Sequence, residues 1–319
     1  MITLDHAYII GGLFFAALSA YSMLDRANPP RLRNGAFYAL LALSFWAGHA
    51  LGDLGNGLLA LGLVVVAVLG LGQGKPPTTT QEERRASAEK RGNALFLPAL
   101  IIPAVALAGT LIVQYTEWGP RIIQNQHKTL IALVLGVMIA ITVLMVWLRP
   151  PLTAPLQEGR RLMDSVGWAA ILPQMLAALG AVFLISGVGE QVGAIFSEYI
   201  PLDTRTVAVA AYCIGMALFT ILMGNAFAAF PVMTAAVGLP FVINELGGDP
   251  ARVCAIGMLA GFCGTLMTPM AANFNVVPAN LLELPDRNAA LNGVIRAQIP
   301  TALPLLLANI VLMRLLAFP

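Results

Sequence analysis

Residues 220–248 read TILMGNAFAAFPVMTAAVGLPFVINELGG, and residues 249–284 read DPARVCAIGMLAGFCGTLMTPMAANFNVVPANLLEL. Both are long apolar runs interrupted at mid-length by small and polar residues. The first breaks at Gly224-Asn225, the second from Gly264-Thr265 through Asn275. The lipid core offers no water to backbone groups freed by a break, so a break at membrane depth survives only where protein or a wet cavity covers it. Paired broken segments are how secondary transporters build a binding site near the midplane.

The composition places the whole chain in a membrane. Of 319 residues, 58% are hydrophobic and 11% charged, against about 25% charged in a soluble domain; mean hydropathy is +0.81. The apolar runs are about 20 residues long, the length of a bilayer-crossing helix, and short alternating segments of the β-barrel kind are missing. A net charge of +2 spread over short loops gives no reason to expect nucleic acid as a partner. Cys213, Cys254 and Cys263 lie inside apolar segments at spacings that fit neither a zinc site nor a disulfide framework. Residues 1–6 carry no basic n-region, so the first run is expected to be a retained transmembrane helix.

The spacing of apolar runs predicts an all-α polytopic protein with about nine membrane-inserted segments. A five-helix region spans 1–150, with helices near 5–24, 34–51, 54–72, 94–115 and 129–148 and a polar cytoplasmic linker at 74–92. Asp25 to Arg31 and Arg149-Pro150-Pro151 are basic, proline-paired stops. The turn Gly52-Asp53 is so short that its flanking helices must be antiparallel. A basic loop holds Arg160 and Arg161. The region 151–319 then carries a spanning helix, a short interfacial helix after Gly187-Val188-Gly189, a hairpin over 206–246, a broken helix over 251–284 and a last helix near 294–316. With the N-terminus outside and the hairpin re-entrant, 13 of the 18 Lys and Arg fall inside, and Arg121, Lys128, Arg205, Arg252 and Arg314 fall outside; this obeys the positive-inside rule. The count leaves open whether 206–246 re-enters or spans.

Asn225, at the first break, offers an acceptor and donors without charge; there it can cap the following half-helix, whose positive end attracts an anion. It can equally satisfy a neighbouring helix. At the second break, Thr265 and Thr268 precede Pro269, and Asn273, Asn275 and Asn280 follow. Carbonyls freed there can coordinate a cation, and N–H groups after Pro269 can receive a carboxylate. So many amides in an apolar segment face a cavity or glue helices together. Glu190 is a candidate proton carrier, although its place after Gly189 also suits the headgroup level. Gln174 and His49 are weaker candidates. Enzyme signatures (H-E-x-x-H, G-x-S-x-G, a Walker sequence, paired intramembrane Asp) do not occur, and no cofactor or metal is expected beyond a coupling ion.

Leu179-Gly180-Ala181, Gly187 to Glu190, the Gly224-Asn225 hairpin and Gly264-Thr265-x-x-Thr268-Pro269 resemble the C-terminal half of ion-transporter superfamily carriers of citrate and dicarboxylates. The resemblance implies that Asn225, Thr265, Thr268, Asn273 and Asn275 contact a small-molecule carboxylate, and that Gly224, Asn225, Gly264 and Thr268 lie at a sodium site. Gly224 and Ala226 replace hydroxyl residues of that family's hairpin tip. Such carriers have two inverted halves, and only one hairpin-plus-broken-helix set is found here. Over its length, with MITLDHAYIIGGLFF, DRANPPR and GNAFAAFPVMTAAVG, the chain resembles the larger subunit of a bacterial two-component pyroglutamate (oxoproline) transporter family, formerly a domain of unknown function. This implies a second membrane subunit, the bacterial inner membrane as location, and secondary transport of a small organic anion coupled to sodium or protons. A non-transporting scaffold or assembly subunit and an anion channel are the alternatives.

Overall fold

The protein is helical, as the periodicity requires. The computed structural model describes residues 1–72, 74, 79–282 and 286–318, with backbone alone at 81, 273, 287 and 288, and no β-strand occurs among the described residues. Eight described helices are long and apolar enough to cross a membrane, and Pro250–Leu266 is a shorter apolar helix. The chain forms two compact units, Met1–Gly167 and Trp168–Pro319.

In the first unit, α1 (Leu4–Leu24) stops where Asp25 turns extended, ahead of the Pro29-Pro30 pair. Next comes α2 (Arg31–Val68), 38 residues long. A straight helix of that length would reach about 57 Å, nearly twice the hydrocarbon core. Gly52 folds it instead, at φ +60 and ψ −174, a conformation that only glycine adopts without strain. The arms 31–51 and 53–68 return on one another: Asn56 Nδ2 donates to the Gly48 carbonyl at 2.8 Å, and Asn34 Nδ2 donates to that of Gly72 at 2.6 Å. The predicted antiparallel pair therefore forms.

Within the polar linker, α3 (Gln81–Arg91) is a formed helix. Thr80 and Glu83 make a reciprocal capping box, with Glu83 N donating to Thr80 Oγ1 at 3.2 Å and Thr80 N to Glu83 Oε2 at 2.9 Å. A 3₁₀ turn leads into α4 (Leu97–Tyr115), followed by the single turn α5 (Gly119–Ile122) and α6 (Lys128–Leu148). Small residues bring α4 and α6 together: a Cβ on Gly109 would lie 2.7 Å from that of Ala132.

The last helix of this unit, α7 (Ala154–Val166), differs from the basic loop read at Arg160-Arg161. Arg160 is 3% exposed; its guanidinium pairs with Asp25, donates to Tyr21 O at 3.2 Å and faces Asp164 at 3.6 Å. Asp164 also accepts from Tyr38 Oη at 2.6 Å, Asn34 Nδ2 at 3.1 Å and Gly74 N at 3.1 Å. The i, i+4 spacing of Arg160 and Asp164 puts both on the helix face that packs inward. At another place in the unit, Ile2 N donates to Ile122 O at 2.6 Å and Gln124 N to Ile2 O at 3.0 Å.

In the second unit, α8 (Leu172–Ile185) and α9 (Val188–Tyr199) are divided by Gly187, as the sequence predicts. Then α10 (Arg205–Met223) turns at Gly224-Asn225 into α11 (Ala226–Met233), which widens into a π-helix over Thr234–Glu245 around Pro240. These two arms form the expected hairpin. Each is long enough to cross a membrane. The arms pack antiparallel around Tyr212, fully buried, whose Oη meets Thr234 Oγ1 at 2.9 Å. Next is α12 (Pro250–Leu266), capped by Asp249. After an irregular stretch come a π turn at Ala272–Val276, α13 (Val277–Leu281) and α14 (Arg287–Leu316). The core lies among α10, α11, α12 and α14 and includes Val209, Met216, Met233, Val253 and Met313.

Candidate functional site at two helix breaks

The two breaks meet. Gly224, at φ +79, closes α10 by donating its N–H to Thr220 O at 2.8 Å. A Cβ there would sit 2.6 Å from that of Met270, in the second break. Thr268 Oγ1 donates across to the Ile221 carbonyl at 3.0 Å, one of the last carbonyls of α10, which helix geometry leaves without a partner. Gly264 lets α12 approach α10 so closely that a Cβ would stand 2.2 Å from Ala217 O.

Each break is held by its own amide. Asn225, 8% exposed, is the N-cap of α11, its Oδ1 accepting from Phe227 N at 2.7 Å. Pro269 has no N–H for the Thr265 carbonyl four residues earlier. Asn275, fully buried, fills that gap: its Nδ2 points at Thr265 O (3.1 Å), Leu266 O (3.3 Å) and Thr268 O (2.6 Å). Thr265 Oγ1 bonds back to Gly261 O at 3.2 Å.

The candidates Gly224, Asn225, Gly264, Thr265, Thr268 and Asn275 are thus brought together. The side chain of Asn273 lies outside the described residues. Glu190 stands apart from the cluster, exposed in the first turn of α9, where a carboxylate suits the helix dipole.

Two further residues belong here. Among the described residues, Thr220 Oγ1, Asn275 Oδ1 and Gln298 Oε1 are buried oxygens that find no hydrogen-bond partner. Thr220 lies one turn before Gly224, and Gln298 Nε2 donates to Phe274 O at 3.1 Å. Their only signal in the sequence was a hydroxyl one turn before a break and an amide two residues before Pro300. An unpaired buried acceptor costs about 1–3 kcal/mol, and each of these neutral oxygens can accept from a positive charge or an N–H group.

Helix α14 carries no charge between Arg296 and Arg314, a span of about 27 Å. Within that span Asn309 reaches Cys263 at 3.5 Å, and Gln298 Nε2 reaches the Phe274 carbonyl, so α14 packs beside both flanks of the second break.

The profile of a protein family described as "Protein of unknown function (DUF979)" matches residues 5–318. No curated protein and no solved structure matches the chain.

Proposed function

We propose, from the premise that this chain belongs to the DUF979 family of proteins of unknown function, that it is a subunit of a secondary active transporter for a small organic anion of the pyroglutamate type. The observation that carries the reading is the meeting of two helix breaks, through the Thr268–Ile221 hydrogen bond and the close approach of Gly224 to Met270. Such breaks place helix ends and free carbonyls where an ion and its co-substrate can bind together. The unpaired oxygens of Thr220, Asn275 and Gln298 favour sodium as the coupling ion, since hard cations take oxygen ligands. A lactam N–H of the substrate is the other group they can receive. Asn225, Thr265, Thr268, Asn273 and Asn275 would line the site, with Gly224 and Gly264 making the close approach possible. Glu190 remains a candidate only for proton coupling.

A second membrane subunit would complete the site, because the second unit supplies one hairpin and one broken helix rather than two of each. The location would be the bacterial inner membrane, with the N-terminus outside. The orientation rests on the positive-inside count. Contacts in the first unit agree with its grouping of loops, whichever side is outside: Ile2 pairs with the 122–124 loop, whereas Arg160 joins Asp25 and Asp164, and Gly74 N donates to Asp164.

The test is uptake of labelled pyroglutamate into proteoliposomes holding this chain alone and with its second subunit, with and without a sodium gradient. Sodium-driven uptake and counterflow exchange are expected with both subunits, falling at least tenfold in Asn225→Ala and in Thr268→Ala. Uptake unchanged in both variants would overturn the site. Counterflow separates a carrier from a channel. A scaffold role is the second reading: Asn225, Thr268 and the Asn275 amide nitrogen are all engaged within the chain, and it predicts no labelled-substrate binding.

A further inference from the structure

We propose that the second unit carries a phospholipid site, with an acyl chain lying along α10 and an anionic headgroup held by Arg205 and Arg314. The proposal is independent of the transport reading. A groove of about 390 Å³ runs between α9 and α10, walled by Phe196, Ile200, Val207, Ala210, Ile214 and Leu218, with Thr206 as its only polar side chain. From Thr206 to Leu218 it follows α10 for about 18 Å. The groove is long, apolar and open along one side, a shape that an extended hydrocarbon chain can follow. Its outer wall faces the apolar surroundings, with Ile214 42% and Leu218 57% exposed.

The mouth of the groove is basic. Arg314 Nε donates to Thr206 Oγ1 at 3.3 Å, Arg205 lies 4.9 Å above the Phe318 ring, and Arg252 donates to Leu316 O at 2.6 Å. Three guanidinium groups thus gather at the last turn of α14. Among the described residues none of them forms an ion pair, and Asp203, two residues before Arg205, pairs with none of them. Each guanidinium carries five N–H donors in a fork that fits a phosphodiester. Arg205 presents its face to Phe318 and keeps its edge for an anion. A soluble anion would use the arginines and leave the groove unfilled, whereas an anion bearing a hydrocarbon tail uses both.

The full chain, purified in detergent, is titrated with phosphatidylglycerol or phosphatidylcholine and bound lipid is counted by native mass spectrometry. Wild type is expected to bind phosphatidylglycerol at least tenfold more tightly. Arg205→Ala/Arg314→Ala should lose that preference, and Arg205→Lys/Arg314→Lys should keep most of it. Ala210→Phe, which fills the groove, should weaken both lipids. Melting temperatures report whether each variant is folded; should the double alanine variant fail to fold, Ala210→Phe decides. Equal binding of the two lipids by wild type, or wild-type binding by folded Ala210→Phe, overturns the proposal.

Discussion

The two units bury polar groups in opposite ways. In the first, the buried cluster is charged: Arg160 against Asp25 and Asp164, with side chains 4%, 12% and 2% exposed. It sits where α1 ends and α2 begins. In the second, the groups at the breaks are neutral: Asn225, Thr265, Thr268 and Asn275. Burying an ion is far costlier than burying an amide, and only close counter-charges and hydrogen bonds offset it. The first cluster has them, since Asp164 is surrounded by a hydroxyl, an amide, a backbone N–H and a guanidinium. Around the breaks no such charged set occurs among the described residues, and amides and hydroxyls carry the freed backbone instead. Charge in this protein stabilises the ends of helices; neutral dipoles stabilise their interruptions.

This contrast can be broken by substitution. The largest effect is expected from Arg160→Ala, which removes the counter-charge that Asp25 and Asp164 share, at a cost of about 3–5 kcal/mol. Thermal melting in detergent should show the greatest loss of any variant here, and a shift as small as that of a surface change would end the claim that the cluster is a buried ion network. Next is Asn275→Leu, which leaves the carbonyls of the second break without their donor, at about 2–3 kcal/mol. Asn275→Asp should be worse than Asn275→Leu, because it turns an acceptor toward three carbonyls; if the two melt alike, Asn275 is not holding the break.

Gly224→Ala should cost about 1–3 kcal/mol, from the positive φ and the crowding of Met270, and hydrogen exchange should rise at both breaks together. Faster exchange at one alone would show them uncoupled. The smallest effect is Thr80→Ala, about 1 kcal/mol, felt as fraying of α3 and invisible at either break.

The fold was open to reading because its determinants are local. Apolar run length gave the helices, Pro29-Pro30 and Gly187 gave the divisions, and Gly52-Asp53 gave the antiparallel pair. The breaks were equally plain, since Gly224-Asn225 and Thr268-Pro269 contradict the apolar runs around them. What the sequence withheld is what depends on neighbours. Arg160 reads as a loop cation until α7 turns it toward Asp25. Gln298 lies 24 residues from the carbonyl it meets. The role of Asn275 could not be separated from that of Asn273 without knowing which amide turns back to the end of α12.

The fold at Gly52 bears on how the chain enters a bilayer. Its arms lie antiparallel, so at one end Arg33 donates to the Leu69 carbonyl and Asn34 to that of Gly72. Were the two arms to enter a bilayer together as a pair, both ends would be held back and only the turn carried across. What has to be translocated is then small: His49, Asp53 and Asn56, the last already satisfied by the Gly48 carbonyl. Lengthening or charging that turn would act on the yield of inserted protein, measured by protease protection, well before it acted on the stability of the finished fold.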